Sequence, residues 1–262
     1  MKKISSKRIL SFRRLVVPAL LSCLFAGSPP AVLAAETFRV AYNNSGMPFS
    51  AMNIQTQKME GFMVDLTEAL AKEEGFNISS TSIEFNALIP ALTSGKIDIS
   101  SAPMYSTEAR SKVVSFSTPL YTYGEGLLVK SDVNEAYTSL ESLKGQKVGA
   151  VSGTLYIDRM NKLGIFSEVK AYTNDSDLMR DLVLGRIKAG VVDAPLIAFE
   201  LKDEHNNTVK LVESYVPEMV GSIAIAVPKT KPELLNTVNQ GIVKLRADGR
   251  YDALLKKWAL TN

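Results

Sequence analysis

Cysteine and histidine are almost missing: Cys23 and His205 are the only ones among 262 residues. Their scarcity excludes zinc sites, iron–sulfur sites and cysteine–histidine nucleophiles. A serine–histidine–aspartate triad would have to rest on one residue of the polar run 202–207, where a solvated loop or helix end is expected. Surplus positive charge is missing as well. Of the 30 basic residues, six precede residue 35 in a stretch without Asp or Glu, so the remaining 24 face 27 acidic residues in a mildly acidic body. Nucleic acid and anionic membrane surfaces are therefore not expected partners. No phosphate loop or dinucleotide fingerprint occurs either, and Gly124 and Gly126 lack the spacing and following helix of such motifs. No cofactor is implied.

Long apolar runs are also scarce. The run 15–27 is interrupted by Pro18 and falls short of the ~20 residues that cross a bilayer. It lies between a basic start and the small-residue exit Val32-Leu33-Ala34, the order of a secretory signal. Cleavage after Ala34 is expected, giving a signal peptide over 1–34 and a periplasmic mature chain without cysteine or disulfide. Lipoprotein anchoring through Cys23 is disfavoured, because Leu21 stands where a lipobox carries a smaller residue.

The residues present describe a globular protein, 46% hydrophobic and 22% charged. Periodicity predicts strands at 37–42, 83–85 and 96–101, with helices at 61–75 and 87–94 between them. The rhythm restarts after Gly124, with strands at 126–130, 147–151, 169–172, 189–193 and 209–212. Helices at 155–163, 175–184 (capped by Asn174) and 194–202 alternate with them, and 140–143 forms a short helical turn. One further strand over 222–227 precedes helices at 232–245 and 248–258, divided by Gly249. Alternating strand and helix means α/β layers with largely parallel sheets, and two such units suit a ligand cleft between them.

Several stretches in one order carry a resemblance. They are Met47-Pro48-Phe49 with the run 61–66; Leu88-Ile89-Pro90-Ala91-Leu92 with Gly95-Lys96-Ile97-Asp98; the run 104–110; Phe116-Ser117-Thr118-Pro119; the run 143–149 leading to Gly153-Thr154; and Asp248-Gly249-Arg250-Tyr251-Asp252 leading to Trp258. The chain resembles the bacterial periplasmic solute-binding proteins, family 3, that deliver amino acids to ABC importers. That resemblance implies a two-lobed α/β periplasmic-binding-protein fold, with lobe one at 35–122 and 223–262 and lobe two at 123–222. Two crossing strands form a hinge, at which Gly124, Gly126 and Gly221 suit backbone rotation. It also implies a monomer, with an ABC permease in the inner membrane as partner.

A cleft for a free amino acid needs a fixed cation for the α-carboxylate and a fixed anion for the α-ammonium. By the resemblance, Arg110 and Asp193 take those roles, with capping of the following helix as the lesser alternative for Asp193. Thr154 could face the carboxylate or cap its own helix, Phe85 matches an aromatic wall, and Asn43 stands where binders of basic amino acids carry Asp. Departures from the family reshape the pocket: Gly46 replaces an aromatic, Ala102, Pro103 and Tyr105 occupy a segment usually rich in Ser, Gly and Thr, and Leu155 replaces a common Thr. Asn43 and Gly46 together predict a ligand other than lysine, arginine or histidine, with Glu108 and Glu125 as the carboxylates that could alter this. A rival reading is a secreted cyclohexadienyl dehydratase. It would need a general acid where this chain has Leu196, and Glu200 lies one helical turn further on.

Overall fold

The computed structural model describes residues 35–202 and 208–260. The expected leader, Cys23 and His205 lie outside the described residues. The chain opens with β1 (Thr37–Tyr42), a small hairpin of β2 (Ala51–Met52) and β3 (Met59–Glu60), and α1 (Phe62–Glu74). There follow β4 (Asn77–Ser82), α2 (Leu88–Thr93), β5 (Ile99–Ser100), α3 (Glu108–Ser111), β6 (Val114–Phe116) and β7 (Tyr121–Tyr123). The middle of the chain holds β8 (Glu125–Lys130), β9 (Lys147–Val151), α4 (Leu155–Leu163), β10 (Glu168–Tyr172) and α5 (Asp175–Val183). Then come β11 (Ala189–Asp193), α6 (Ala194–Glu200), β12 (Val209–Leu211), β13 (Gly221–Ile223), β14 (Ala226–Pro228), α7 (Pro232–Ala247) and α8 (Arg250–Lys257).

Among the described residues these strands build two five-stranded sheets, in the orders β4-β1-β5-β14-β6 and β10-β9-β11-β8-β12. Each sheet begins with three parallel strands, and each accepts an antiparallel fourth strand beside the third: β14 next to β5, and β8 next to β11. The fold is therefore mixed α/β and two-lobed. β7 and β13 pair antiparallel outside both sheets, with Tyr121 opposite Ile223 and Tyr123 opposite Gly221. After β14, α7 and α8 return to pack on α1.

The buried faces account for these elements. Helix α1 turns Phe62, Met63, Leu66 and Leu70 inward at a helical spacing, and β1, an inner strand of its sheet, buries Val40, Ala41 and Tyr42. Helix α5 starts where the Asn174 side chain accepts the Asp177 N–H at 2.9 Å, a cap that contributes about 1 kcal/mol.

Two expectations change. The strand expected at 83–85 lies earlier, at β4, an edge strand of largely exposed Ser and Thr held by its parallel ladder to β1. Ile83 and Phe85 are apolar because they pack against the core beneath α2. The single strand expected at 222–227 is two, because Gly221–Ile223 pairs with β7 whereas Ala226–Pro228 enters the first sheet. The crossing glycines are also closely packed: a Cβ on Gly124 would lie 2.5 Å from Pro217 Cβ, on Gly126 2.8 Å from a Leu211 methyl, and on Gly221 3.0 Å from the Tyr105 ring.

Candidate functional site

The carboxyl ends of parallel strands release backbone groups and helix N-termini, so ligands of open α/β sheets collect there. Among the described residues, all six parallel strands run toward one cleft. β1 leads to Asn43, β4 to Glu84 and Phe85, and β5 to Pro103; β9 leads to Thr154, β10 to Asn174 and Asp175, and β11 ends on Asp193. These residues line one cavity. Another cavity shares Pro103, Thr154, Tyr156 and Asp193 with it and adds Tyr105, Arg110, Tyr123 and Leu155; this Arg110 cavity is the first compartment of the cleft, and the cavity at the strand ends is the second. The cleft thus has two compartments joined at Asp193.

The first compartment carries the cation. Arg110 sits on α3, whose Thr107 hydroxyl accepts the Arg110 N–H at 3.2 Å. Its guanidinium donates to the Tyr105 carbonyl at 2.8 Å and, from the opposite side of the cleft, to the Gly153 carbonyl at 3.1 Å. It also lies 5.6 Å from the centroid of the Phe85 ring. A guanidinium has five N–H donors, so these two bonds leave others for an incoming carboxylate. Burial pulls its pKa down, with Asp158 and Asp193 opposing. The Thr154 hydroxyl donates to the Val151 carbonyl at 2.6 Å and makes no capping bond to α4, whose first N–H groups are left without a side-chain cap. They provide a second patch of positive potential beside Leu155.

Asp193 makes no capping bond to α6. Its carboxyl instead accepts from the Tyr156 hydroxyl at 2.5 Å. Burial pushes this carboxyl up to about 6, against the pull of Tyr156, Tyr123 and the Arg110 charge. A carboxylate held this way is short of positive charge. Tyr105 lines the compartment with its ring against Gly221, and its hydroxyl donates to the Tyr123 carbonyl at 3.0 Å and lies 3.4 Å from the Tyr156 hydroxyl.

The second compartment is acidic. Asp175, at the first position of α5, is half-buried and pushed up to about 8 by burial, with the charges of Asp193 and Glu200 adding to the shift. Burial raises Glu200 as well. Glu200 comes from α6 across to the Gly46 turn, where its Oε1 would lie 3.1 Å from a Cβ at Gly46, so a carboxylate fills part of the space an aromatic would need. Asn43 is buried, and its Oδ1 has no hydrogen-bond partner among the described residues.

Of the nine residues expected in the site, Asn43, Phe85, Pro103, Tyr105, Arg110, Thr154, Leu155 and Asp193 line one or other compartment. Ala102 does not: it is fully buried in the apolar cluster beneath α2. The carboxylates expected to alter specificity are also elsewhere. Glu108 is exposed beside Lys112, and Glu125 is buried and fully engaged by the Tyr215 hydroxyl and the N–H groups of Glu218 and Met219. Glu84, Tyr156 and Asp175 were not anticipated as site residues, nor was Glu200 as a specificity residue. For Glu84, Tyr156 and Asp175 the sequence signal was position, just beyond a strand or at a helix start, which is also where caps and solvated ends occur; Glu200, the last residue of α6, carried no such signal.

The profile of the bacterial extracellular solute-binding proteins, family 3, matches residues 38–261. The L-cystine-binding protein TcyJ of Escherichia coli (strain K12) is 32% identical over 225 residues, covering 85% of this chain and 82% of the relative. The ABC transporter arginine-binding protein 1 of the same strain is 30% identical over 252 residues, covering 94% and 98%. Among solved structures, an ancestral arginine-binding protein bound to arginine aligns with a TM-score of 0.78 and 34% identity, over 86% of this chain and 99% of that one. Two similar sheets with a cleft at their strand ends, and a family profile running through both, have one explanation: the chain belongs to the bacterial extracellular solute-binding proteins, family 3.

Proposed function

We propose that the protein captures a free amino acid, or a zwitterion built like one, between its lobes and delivers it to an ABC importer. One observation carries this reading: Arg110 and Asp193 face the same cavity from the two sheets, with the uncapped start of α4 beside them. Arg110 and the α4 N–H groups take the α-carboxylate, and Asp193 takes the α-ammonium. Lobe one comprises 35–122 and 223–262 and lobe two 123–222, closing about the β7–β13 ribbon. The mature protein acts as a periplasmic monomer after loss of residues 1–34, and an inner-membrane permease receives its closed form. Family membership and the binding-protein names of the relatives support the reading.

Catalysis is not part of it. Leu196, at the position of a dehydratase's general acid, is an apolar side chain buried in the second sheet's core and has no proton to give.

Calorimetric titration of free amino acids against their N-acetyl and carboxamide derivatives tests the proposal. Blocking either end should weaken binding by about a hundredfold or more, the cost of leaving one member of a desolvated charge pair alone. Equal binding of blocked and free forms, or none by any free amino acid, rejects it. Turnover of prephenate or arogenate would do so too.

A further inference from the structure

The second compartment is built for charge that the amino-acid head does not supply. With a zwitterion bound, Arg110 and Asp193 balance its two ends. That leaves Glu84 and Asp175 in the wall of the remaining space, with Glu200 at the Gly46 turn close enough for its charge to act on Asp175, and none of the three forms an ion pair among the described residues. Arg110 opens into the other compartment and already donates to two carbonyls. An independent observation points to a donor-rich guest: Asn43, 6% exposed, lines this compartment and its Oδ1 lacks a partner among the described residues. Ser45 beside it has an unpartnered buried hydroxyl oxygen as well. The other walls, Val151, Val191 and Val192 with the Phe85 ring, suit a methylene chain rather than a second polar body.

Resting on the amino-acid reading above, we infer that the ligand's side chain is cationic, a guanidinium or ammonium on an aliphatic stem, and that Asp175 and Glu200 are the residues that select it. This reverses the expectation drawn from Asn43 and Gly46. The anion missing at Asn43 is supplied by Asp175 from the opposite sheet, and the aromatic missing at Gly46 makes room for Glu200. A neutral side chain would leave these carboxyls desolvated without a partner.

Binding should also move a proton. The charged groups facing Asp175 are Asp193 at the end of β11 and Glu200 on α6, both acidic. A cation placed among them favours the ionised carboxyl, so arginine or lysine should release protons on binding near pH 7.5, and a neutral ligand should not.

Arginine and its neutral isostere citrulline, with lysine and glutamine as a second pair, provide the test by calorimetry in two buffers of different ionisation heat. The cationic member should bind at least about tenfold tighter in each pair, with proton release. Asp175→Asn and, separately, Glu200→Gln should each bring the arginine-to-citrulline ratio toward one through loss of arginine affinity, with the unliganded variants melting no lower than the parent. A ratio below tenfold in the parent, or one that both variants leave unchanged, overturns the inference while the amino-acid reading stands. Failure of all four to bind overturns both.

Discussion

Asp98 and Asp181 in the framework, and Asp193 and Asp175 in the cleft, are the same side chain in opposite surroundings. Asp98, 4% exposed, accepts from the Arg39 N–H, from the Arg39 guanidinium through both oxygens at 2.8 Å, and from Lys231 at 2.7 Å. Asp181, in the second sheet's layer, accepts from Lys170, from Arg186 at 2.8 Å and from Tyr172 at 3.0 Å. Arg39 and Lys170 respectively hold these two carboxyls far below the usual carboxylate range, whereas burial lifts Asp193 to about 6 and Asp175 to about 8. Asp98 and Asp181 have their countercharges built in. Under the proposed function, those of Asp193 and Asp175 come with the ligand.

The largest expected effect removes the one built-in cation of the cleft. Arg110→Ala should cost roughly 3–5 kcal/mol of ligand affinity, between two and four decades, while urea unfolding of the unliganded protein moves little. Less than a threefold loss by calorimetry would mean that Arg110 does not clamp the carboxylate. The converse change, Asp98→Ala, should lower folding stability by about 2 kcal/mol, a figure kept modest because Arg39 and Lys231 can turn to solvent. Ligand affinity should stay within about twofold. If affinity collapses while stability holds, the division between framework and cleft carboxylates is wrong.

Acidity sharpens the same contrast. A carboxyl lowered in the fold stabilises it above its unfolded pKa, near 4, and loses that contribution as pH falls, which is the case for Asp98 and Asp181. A raised carboxyl does the reverse: its contribution is complete below about pH 4 and disappears as pH climbs through the folded value, about 6 for Asp193 and about 8 for Asp175. Asp175→Asn should therefore make the unliganded protein more stable than its parent at pH 8.5 by about 1–2 kcal/mol, an amount discounted for partial exposure, with the gap closing toward pH 4. An equal gap at both pH values in denaturant titrations would exclude titration of Asp175 as its source.

Much of this was legible in the chain. β1, β9 and α4 fall on their expected residues, because alternation or helical spacing coincides there with Gly, Asn or Pro at the boundary. The strand at 222–227 was misjudged for a physical reason: Ile223 and Ala226 are equally buried on either side of a change of partner, and apolarity records burial without recording what lies opposite. Arg110 was expected from its motif and Asp193 from its family position at the end of a strand, and both line the cleft. Asp175 was hidden by the Asn174 cap beside it, since an acidic residue in the first turn of a helix is expected on dipole grounds alone. That β10 delivers it to the cleft follows only from the sheet order.

The smallest effect concerns closure. Gly153 has φ +81°, and a Cβ there would lie 2.9 Å from Asn86 Cα, a residue that enters from the first sheet's side of the cleft. Gly153→Ala should weaken binding by about fivefold, near 1 kcal/mol, through backbone strain and a propped cleft, with a larger radius of gyration in solution scattering of the liganded protein. Unchanged scattering and affinity would show that the contact does not limit closure.

Trp258 decides how such experiments can be watched. It is the only tryptophan of the chain. Its indole N–H donates to Asp65 on α1 at 2.7 Å and its ring lies 5.0 Å from the Lys257 ammonium, so the chromophore is fixed on the outer face of the first sheet's helices and borders neither compartment. The rings at the cleft are tyrosines, Tyr105, Tyr123 and Tyr156. Intrinsic emission excited at the indole band should follow detachment of the C-terminal helices and stay nearly silent as ligand enters, so a flat emission titration is the behaviour of a competent protein, and an optical binding assay needs a dye or a second indole placed at the cleft rim.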